Sequence, residues 1–302
     1  MRQISSIIII IISIISLQSC FSEVESTPKI KYEKDSNPNN SDNSIISHIT
    51  NQPLKNWKIG KEFFVTDNKI SQALLSKNPI DSLCESYISY IGYRIKTSIT
   101  DKKSTELLFL SEKSDTLYYH INSSVEDLND REHLEIPFTI QRSLIDEVGQ
   151  FLTNKQLYII TPSWYNDNGE GVIGRKFIPI TIENVCAGNS IYPIKLFFND
   201  KGNRYFVYMT IGNEFQKTRN FETLFSETDP HNKYPLISNE IWNVISNNSI
   251  KIGMTQEECF LSIGAPDNVI SDMSQSSPIK IWEYKNGTSL TFENGILTQY
   301  KN

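Results

Sequence analysis

The chain has 302 residues, with 29 lysines and arginines against 35 aspartates and glutamates, four cysteines and 11% aromatic residues. An acidic balance without a basic cluster argues against nucleic acid and against an anionic membrane surface as partners. The length exceeds one average domain, and the aromatic content can build real cores, so two or three small domains are expected.

Arg2 is the only charged side chain before Cys20, and the apolar run from Ile7 to Leu17 is broken only by Ser13 and Ser16. This pattern predicts an export signal over residues 1–19 and not a membrane span, which takes roughly 20 apolar residues. Leu17-Gln18-Ser19-Cys20 resembles the lipobox of bacterial lipoproteins, with Gln18 bulkier than is usual there. The resemblance implies cleavage before Cys20 and acylation of that cysteine. It implies a cell-envelope, outer-membrane lipoprotein, periplasmic or surface-exposed, that meets the membrane through lipid on Cys20. Several acyl chains hold a protein stably where one does so only marginally. Loss of Arg2 leaves 28 basic residues against 35 acidic ones, a mature charge of −7.

Residues 20–55 read as a flexible tether. Lys34 to Ser44 is KDSNPNNSDNS, which cannot bury enough apolar surface to offset its ordering entropy. Between Trp57 and Thr210 one unit looks used twice. The first copy carries Phe63-Phe64-Val65-Thr66-Asp67, Ile91-Gly92-Tyr93-Arg94-Ile95, Leu107-Leu108-Phe109 and Leu117-Tyr118-Tyr119. The second carries Leu157-Tyr158-Ile159-Ile160-Thr161, Ile173-Gly174-Arg175-Lys176-Phe177, Ile194-Lys195-Leu196-Phe197-Phe198 and Tyr205-Phe206-Val207-Tyr208. Short β-branched and aromatic blocks between turn formers predict antiparallel strands and hairpins. Units of this kind are similar to SH3-like barrels, and they are placed at residues 56–138 and 139–235. The second begins with a helix, since Ile140, Leu144, Ile145, Val148, Phe151 and Leu152 recur at steps of three and four.

The pattern then changes to helices and hairpins. Ser238 is an N-cap signal for a helix carrying Ile241, Val244 and Ile245. Thr255-Gln256-Glu257-Glu258 is a capping box, and Gly264 before Pro266 reads as a left-handed C-cap. Ser262 is assigned to the solvent side of that helix. Three strands are expected around Ile279–Tyr284, Thr288–Phe292 and Ile296–Tyr300, turned at Asn286-Gly287 and Asn294-Gly295. Gly253-Met254-Thr255, Gly264-Ala265-Pro266, Trp282-Glu283-Tyr284 and Leu290-Thr291-Phe292 resemble the BamE/SmpA–OmlA module of outer-membrane lipoproteins, over residues 236–302. The fold class expected is therefore α+β, mostly β, with two small β units before an α-α-β-β-β domain. The motif residues are caps, turns and core aromatics, so no functional residue carries over.

No catalytic, cofactor or metal motif stands out. Cys84, Cys186 and Cys259 form no C-x-x-C pair and can make at most one internal disulfide, and Cys259 is expected in the core. His48, His120, His133 and His231 lie far apart in sequence. Asn166-Asp167-Asn168-Gly169-Glu170 lacks the alternating carboxylates of a calcium loop and reads as a hairpin turn. The neighbouring Trp164 and Tyr165 are candidate partner contacts for a protein or glycan, with core packing as the alternative. The functional expectation is a non-catalytic binding or assembly module of the envelope. Its rivals are a glycan or cell-wall hydrolase using carboxylates such as Glu170 and Asp200, and an inhibitor of secreted enzymes.

Replacing Cys20 with Ala is expected to leave an uncleaved or soluble precursor. Fractionation of envelopes after a high-salt wash checks this, and retention of the mutant at the membrane would refute the anchor.

Overall fold

The computed structural model describes residues 49–77, 79–80, 82–98, 101–211, 218–272 and 278–301. The signal, Cys20, His48 and most of the tether lie outside the described residues. The described chain divides into two compact units, 49–265 and 266–301. It is mostly β, with antiparallel sheets and few helices.

Folded sequence in the larger unit reaches back to Ile49, which is buried together with Leu54. These are isolated apolar residues in a polar stretch and give no periodic signal. The first sheet contains β1 (Glu62–Val65), β2 (Leu74–Ser76), β3 (Tyr87–Thr97), β4 (Lys103–Ser111) and β5 (Thr116–Ile121). After a short helix α1 (Val125–Asn129), β6 (Thr139–Gln141) returns beside β1, giving the order β2-β5-β4-β3-β1-β6. The first sheet therefore extends past residue 138. Alternation places Phe63, Ile88, Leu107, Phe109 and Leu117 in one core, where Phe63 meets Trp57 and Phe109 at ring distances of 4.7 and 5.5 Å.

Helix α2 (Arg142–Leu152) follows, burying Leu144, Ile145, Val148 and Leu152 in a second core as its spacing predicts. Ile140 belongs to β6, and Phe151 faces outward. The second sheet contains β7 (Gln156–Ile159), β8 (Ser163–Asn166), β9 (Gly171–Ile173), β10 (Ile178–Ala187), β11 (Ile194–Asp200) and β12 (Asn203–Met209). A short helix α3 (Phe221–Leu224) leads into β13 (Phe225–Ser226), and the order is β13-β7-β10-β11-β12-β8-β9.

Apart from β9, the two sheets have the same order, and they agree residue by residue. Strands β3 and β10 each carry a β-bulge: the β3–β4 register shifts between Tyr90 and Gly92, the β10–β11 register between Ile182 and Asn184. Beyond the bulges Leu108 pairs with Gly92 and Phe197 with Asn184, so Glu106 on β4 takes the place that Lys195 holds on β11. Tyr118 and Phe206 are likewise equivalent, as are His120 and Tyr208, and Leu75 and Tyr165. The first, third and fourth of the repeated sequence blocks align in this register. The second does not. Ile173 ends β9, residues 174–177 form a connection, and the counterpart of Ile91-Gly92-Tyr93 is Glu183-Asn184-Val185. The additional strand β9 and the connection after it displaced the match. Gly174 is required where it stands, because an added Cβ would lie 1.9 Å from Trp164 Cδ2.

Helices α4 (Asn239–Ser246) and α5 (Gln256–Ile263) complete the larger unit. Ser238 caps α4, and Thr255 with Glu258 forms the capping box of α5. The helices join the second sheet's connection through Lys176 N–H to Ser246 O (3.0 Å), Asn248 Nδ2 to Gly174 O (2.8 Å) and the Phe177–Trp242 rings. These bonds explain why the chain divides at Ala265/Pro266 and not at Leu236.

The smaller unit is a meander of β14 (Asn268–Asp272), β15 (Ile279–Glu283), β16 (Ser289–Glu293) and β17 (Ile296–Lys301). It has one strand more than expected, since β14 alternates poorly and is mostly exposed. Asn294 and Gly295 both take positive φ in a two-residue turn. At the other turn only Gly287 does, and Gly287 N–H bonds Tyr284 O at 3.0 Å in a longer loop.

Gly264 has φ +85° and ψ −170°, a region open essentially to glycine alone and distinct from the left-handed helix. Ser262 departs from its solvent-side assignment: it is buried, and its hydroxyl donates to Ser249 O, across the α4–α5 connection. Its helix is apolar on more than one face, which hid the direction of that side chain. Ser262→Ala is therefore expected to cost about 1–2 kcal/mol, leaving a carbonyl unsatisfied. Gly264→Val is expected to cost of the order of 1–3 kcal/mol in backbone strain. Urea unfolding of the full chain measures both.

Candidate functional site

Strands β8, β11 and β12 alternate, so one set of side chains fills the core while the other lines the opposite face. Trp164, the first of the two candidate contacts, points inward: it is 2% exposed, its indole N–H donates to Thr161 O at 2.8 Å, and it meets Phe198 and Tyr205. Tyr165, one residue later, lies on the outer face. It stacks on Phe206 at 5.2 Å and 13°, and it meets Tyr208 at 5.0 Å. Phe197 and Tyr192 continue the cluster, at 5.4 Å from Phe206 and 6.1 Å from Tyr208.

Three cations are seated on these rings. Lys195 Nζ lies 3.9 Å from the Phe206 centroid, the Arg204 guanidinium 4.1 Å from that of Phe197, and the Arg219 guanidinium within 6 Å of Tyr165 and Tyr192. Such cation–π contacts attract the charged groups to the ring faces and fix their position. Arg219 is held further by hydrogen bonds to Tyr208 O (3.0 Å) and Ser163 O (3.1 Å). Among the described residues no carboxylate lies within 4.0 Å of Lys195, Arg204 or Arg219, whereas Arg94, Lys96, Arg142, Lys155 and Arg175 all have one. Cys186 adjoins this face; burial raises its thiol pKa, and Lys195 and Arg204 oppose that rise.

The same place on the first sheet is built differently. Glu106, 1% exposed, accepts from Arg94 Nε and from Lys96 Nζ (2.6 Å), while Arg94 also covers the Tyr118 ring at 4.6 Å. Burial works to raise the Glu106 pKa, but the bonds from Lys96 and Arg94 outweigh it and hold the carboxyl below its ordinary range. This first hub is a closed ion triad. The second has a cation, Lys195, in the place of Glu106, and among the described residues no carboxylate lies within 4.0 Å of its three cations.

The other sequence candidates are dispersed. Asp200 pairs with Arg175, and Glu170 closes the β8–β9 turn by accepting from Asn166 Nδ2 at 2.8 Å. The three cysteines are free, with Cys259 buried and its thiol pushed up to about 12. His120 bonds Asn122, and His231 bonds Asp229 at 2.5 Å and packs on Trp242. No metal-holding cluster occurs among the described residues. A groove of about 520 Å³ lined by residues 135–141 and by Asn189, Ser190 and Pro193 has one titratable wall residue, Glu135, which accepts from Asn51.

The sequence did not single out Phe197, Phe206, Tyr208, Lys195, Arg204 or Arg219 as site residues. The available signal was the consecutive apolar runs Leu196-Phe197-Phe198 in β11 and Tyr205 to Met209 in β12, which do not alternate and so point to cover on both faces. Comparison with protein families, with curated proteins and with solved structures finds no match.

Lys176 is buried without an acidic partner among the described residues, 5.4 Å from the Phe177 ring, and burial lowers its pKa to about 8. A lowered lysine pKa costs stability in full below the folded value. The cost is relieved as pH rises from about 8 toward the ordinary 10.5. Lys176→Met is expected to stabilise the chain at pH 7 by up to about 3 kcal/mol and to flatten the rise between pH 8 and 10. Urea unfolding at both pH values measures it.

Proposed function

We propose that the protein is a lipid-anchored, non-catalytic envelope protein, a binding or assembly module held at the outer membrane through Cys20. The outer face of the second sheet is its contact surface. The observation that carries this reading is the half-buried set Tyr165, Tyr192, Phe197 and Tyr208 around buried Phe206, with three cations that have no carboxylate within 4.0 Å among the described residues, in a chain of net negative charge. Tyrosine and arginine are the residues most enriched at the energetic centres of protein interfaces. On this reading Tyr165 contacts the partner, while Trp164 beneath it shapes the platform.

The strand order supports the same class of protein. A meander, a short helix and a last strand returning beside the first make each repeat similar to SH3-like modules, and the α4–α5 helices with the C-terminal meander follow the element order of BamE-like domains. Among the described residues no helix is long and apolar enough to cross a membrane. In this reading the anchor is lipid on Cys20, carried by the resemblance of Leu17-Gln18-Ser19-Cys20 to a lipobox.

Photocross-linking in intact envelopes tests the reading. A photoreactive side chain in place of Tyr208 is expected to give a discrete adduct, whereas one at Leu75, the exposed equivalent of Tyr165 on the first sheet, gives none. Equal labelling from the two positions, or no adduct from Tyr208, would remove the second sheet as the contact surface.

A further inference from the structure

We infer that the occupant of the second sheet's outer face is an acidic polypeptide segment, whose carboxylates settle between Lys195, Arg204 and Arg219. The inference rests on the binding-module reading and adds the chemistry of the partner. Its main support is the internal repeat. In the first sheet a carboxylate, Glu106, sits between Arg94 and Lys96 beside the Tyr118 ring. In the second sheet the register puts Lys195 where Glu106 stands and Phe206 where Tyr118 stands. Cations on rings remain, and among the described residues no carboxylate within 4.0 Å of them completes such a cluster. A partner supplies that carboxylate.

Ring geometry selects polypeptide over glycan or single-stranded nucleic acid. Sugars and bases bind through open ring faces on which they stack. Here Tyr165 lies against Phe206, Tyr192 against Tyr208, Phe206 under Lys195 and Phe197 under Arg204. Ring edges, tyrosine hydroxyls and the outer sides of the cations are what the surface offers. Those groups match carboxylates and interspersed apolar side chains. The cations are also positioned before binding, by ring contacts and, for Arg219, by two carbonyls, so little side-chain entropy is lost on binding.

The test is fluorescence anisotropy of labelled poly-L-glutamate with the full chain in non-ionic detergent at low ionic strength. Polygalacturonate and oligothymidylate serve as the sugar and nucleic-acid polyanions. Poly-L-glutamate is expected to bind most tightly, and K195Q/R204Q to weaken it by about tenfold or more. K58Q/K103Q makes the same change in net charge at exposed residues elsewhere and is expected to change affinity by less than about twofold. Because Lys195 and Arg204 cover buried rings, Asn184→Asp provides a variant that leaves them in place. It sets a carboxylate on the same face, opposite Phe197, and is expected to weaken binding as well. Equal loss in both double mutants, indifference to Asn184→Asp, or tighter binding of either other polyanion would overturn the inference. An adduct at Tyr208 in envelopes would then still stand for a contact surface with a partner of different chemistry.

Discussion

Register in strands β3 and β10 is the constraint on which the larger unit depends. A shift of one residue turns every side chain of a strand to the other face. The bulges opposite Phe109/Leu108 and Phe198/Phe197 absorb one extra residue, so the strand can keep Ile88 and Ile180 in the core at one end and release Arg94 and Cys186 to the outer face at the other. Strands β6 and β13 then pair with β1 and β7, which are hydrogen-bonded on both edges. Glu106 on β4 and Lys195 on β11 lie directly across from the adjusted segments. The residue at that place is thus free to vary while the core stays fixed.

Legibility of the sequence followed side-chain volume and length. Leu107-Leu108-Phe109 and Leu196-Phe197-Phe198 match because large residues must fill the same inner positions on either side of the same bulge. Glu183-Asn184-Val185 shares none of the character of Ile91-Gly92-Tyr93, since a bulge constrains the backbone more than the side chain. Gly174-Arg175 imitated Gly92-Arg94 for an unrelated reason, the indole of Trp164 beneath it. Helices α1 and α3 have five and four residues, and β13 has two, too few for any period to show. Caps were read well at Ser238 and Thr255 because a cap is a local bond between near neighbours. Ser262 was misread because its partner, Ser249 O, lies 13 residues away.

The candidate site was legible only at Tyr165. Pattern reasoning treats a cation beside an aromatic residue in a strand as solvent-facing punctuation, yet Lys195 and Arg204 cover Phe206 and Phe197 with their own charge centres. Phe206 is fully buried on the outer side of the sheet as a result. Long cationic side chains can hide apolar surface in this way while keeping one side of the charged head in water. A count of hydrophobic residues therefore underestimates how much of the second sheet is covered, and a count of charges misses that three of them have no carboxylate within 4.0 Å among the described residues.

Net charge and local charge act at different ranges. A chain of net charge −6 repels an acidic segment at distances beyond the Debye length of about 10 Å at 0.1 M salt only weakly, because that field is largely screened. Within that length the segment meets three positioned cations that, among the described residues, have no carboxylate within 4.0 Å. Long-range steering therefore contributes little, and encounter depends on concentration. A lipid anchor on Cys20 would supply that concentration by confining the face to the envelope surface, where the linker sets how far it can reach. Affinity then arises from short-range bonds formed after contact, and its salt dependence reflects the few charges on the face and not the charge of the whole chain.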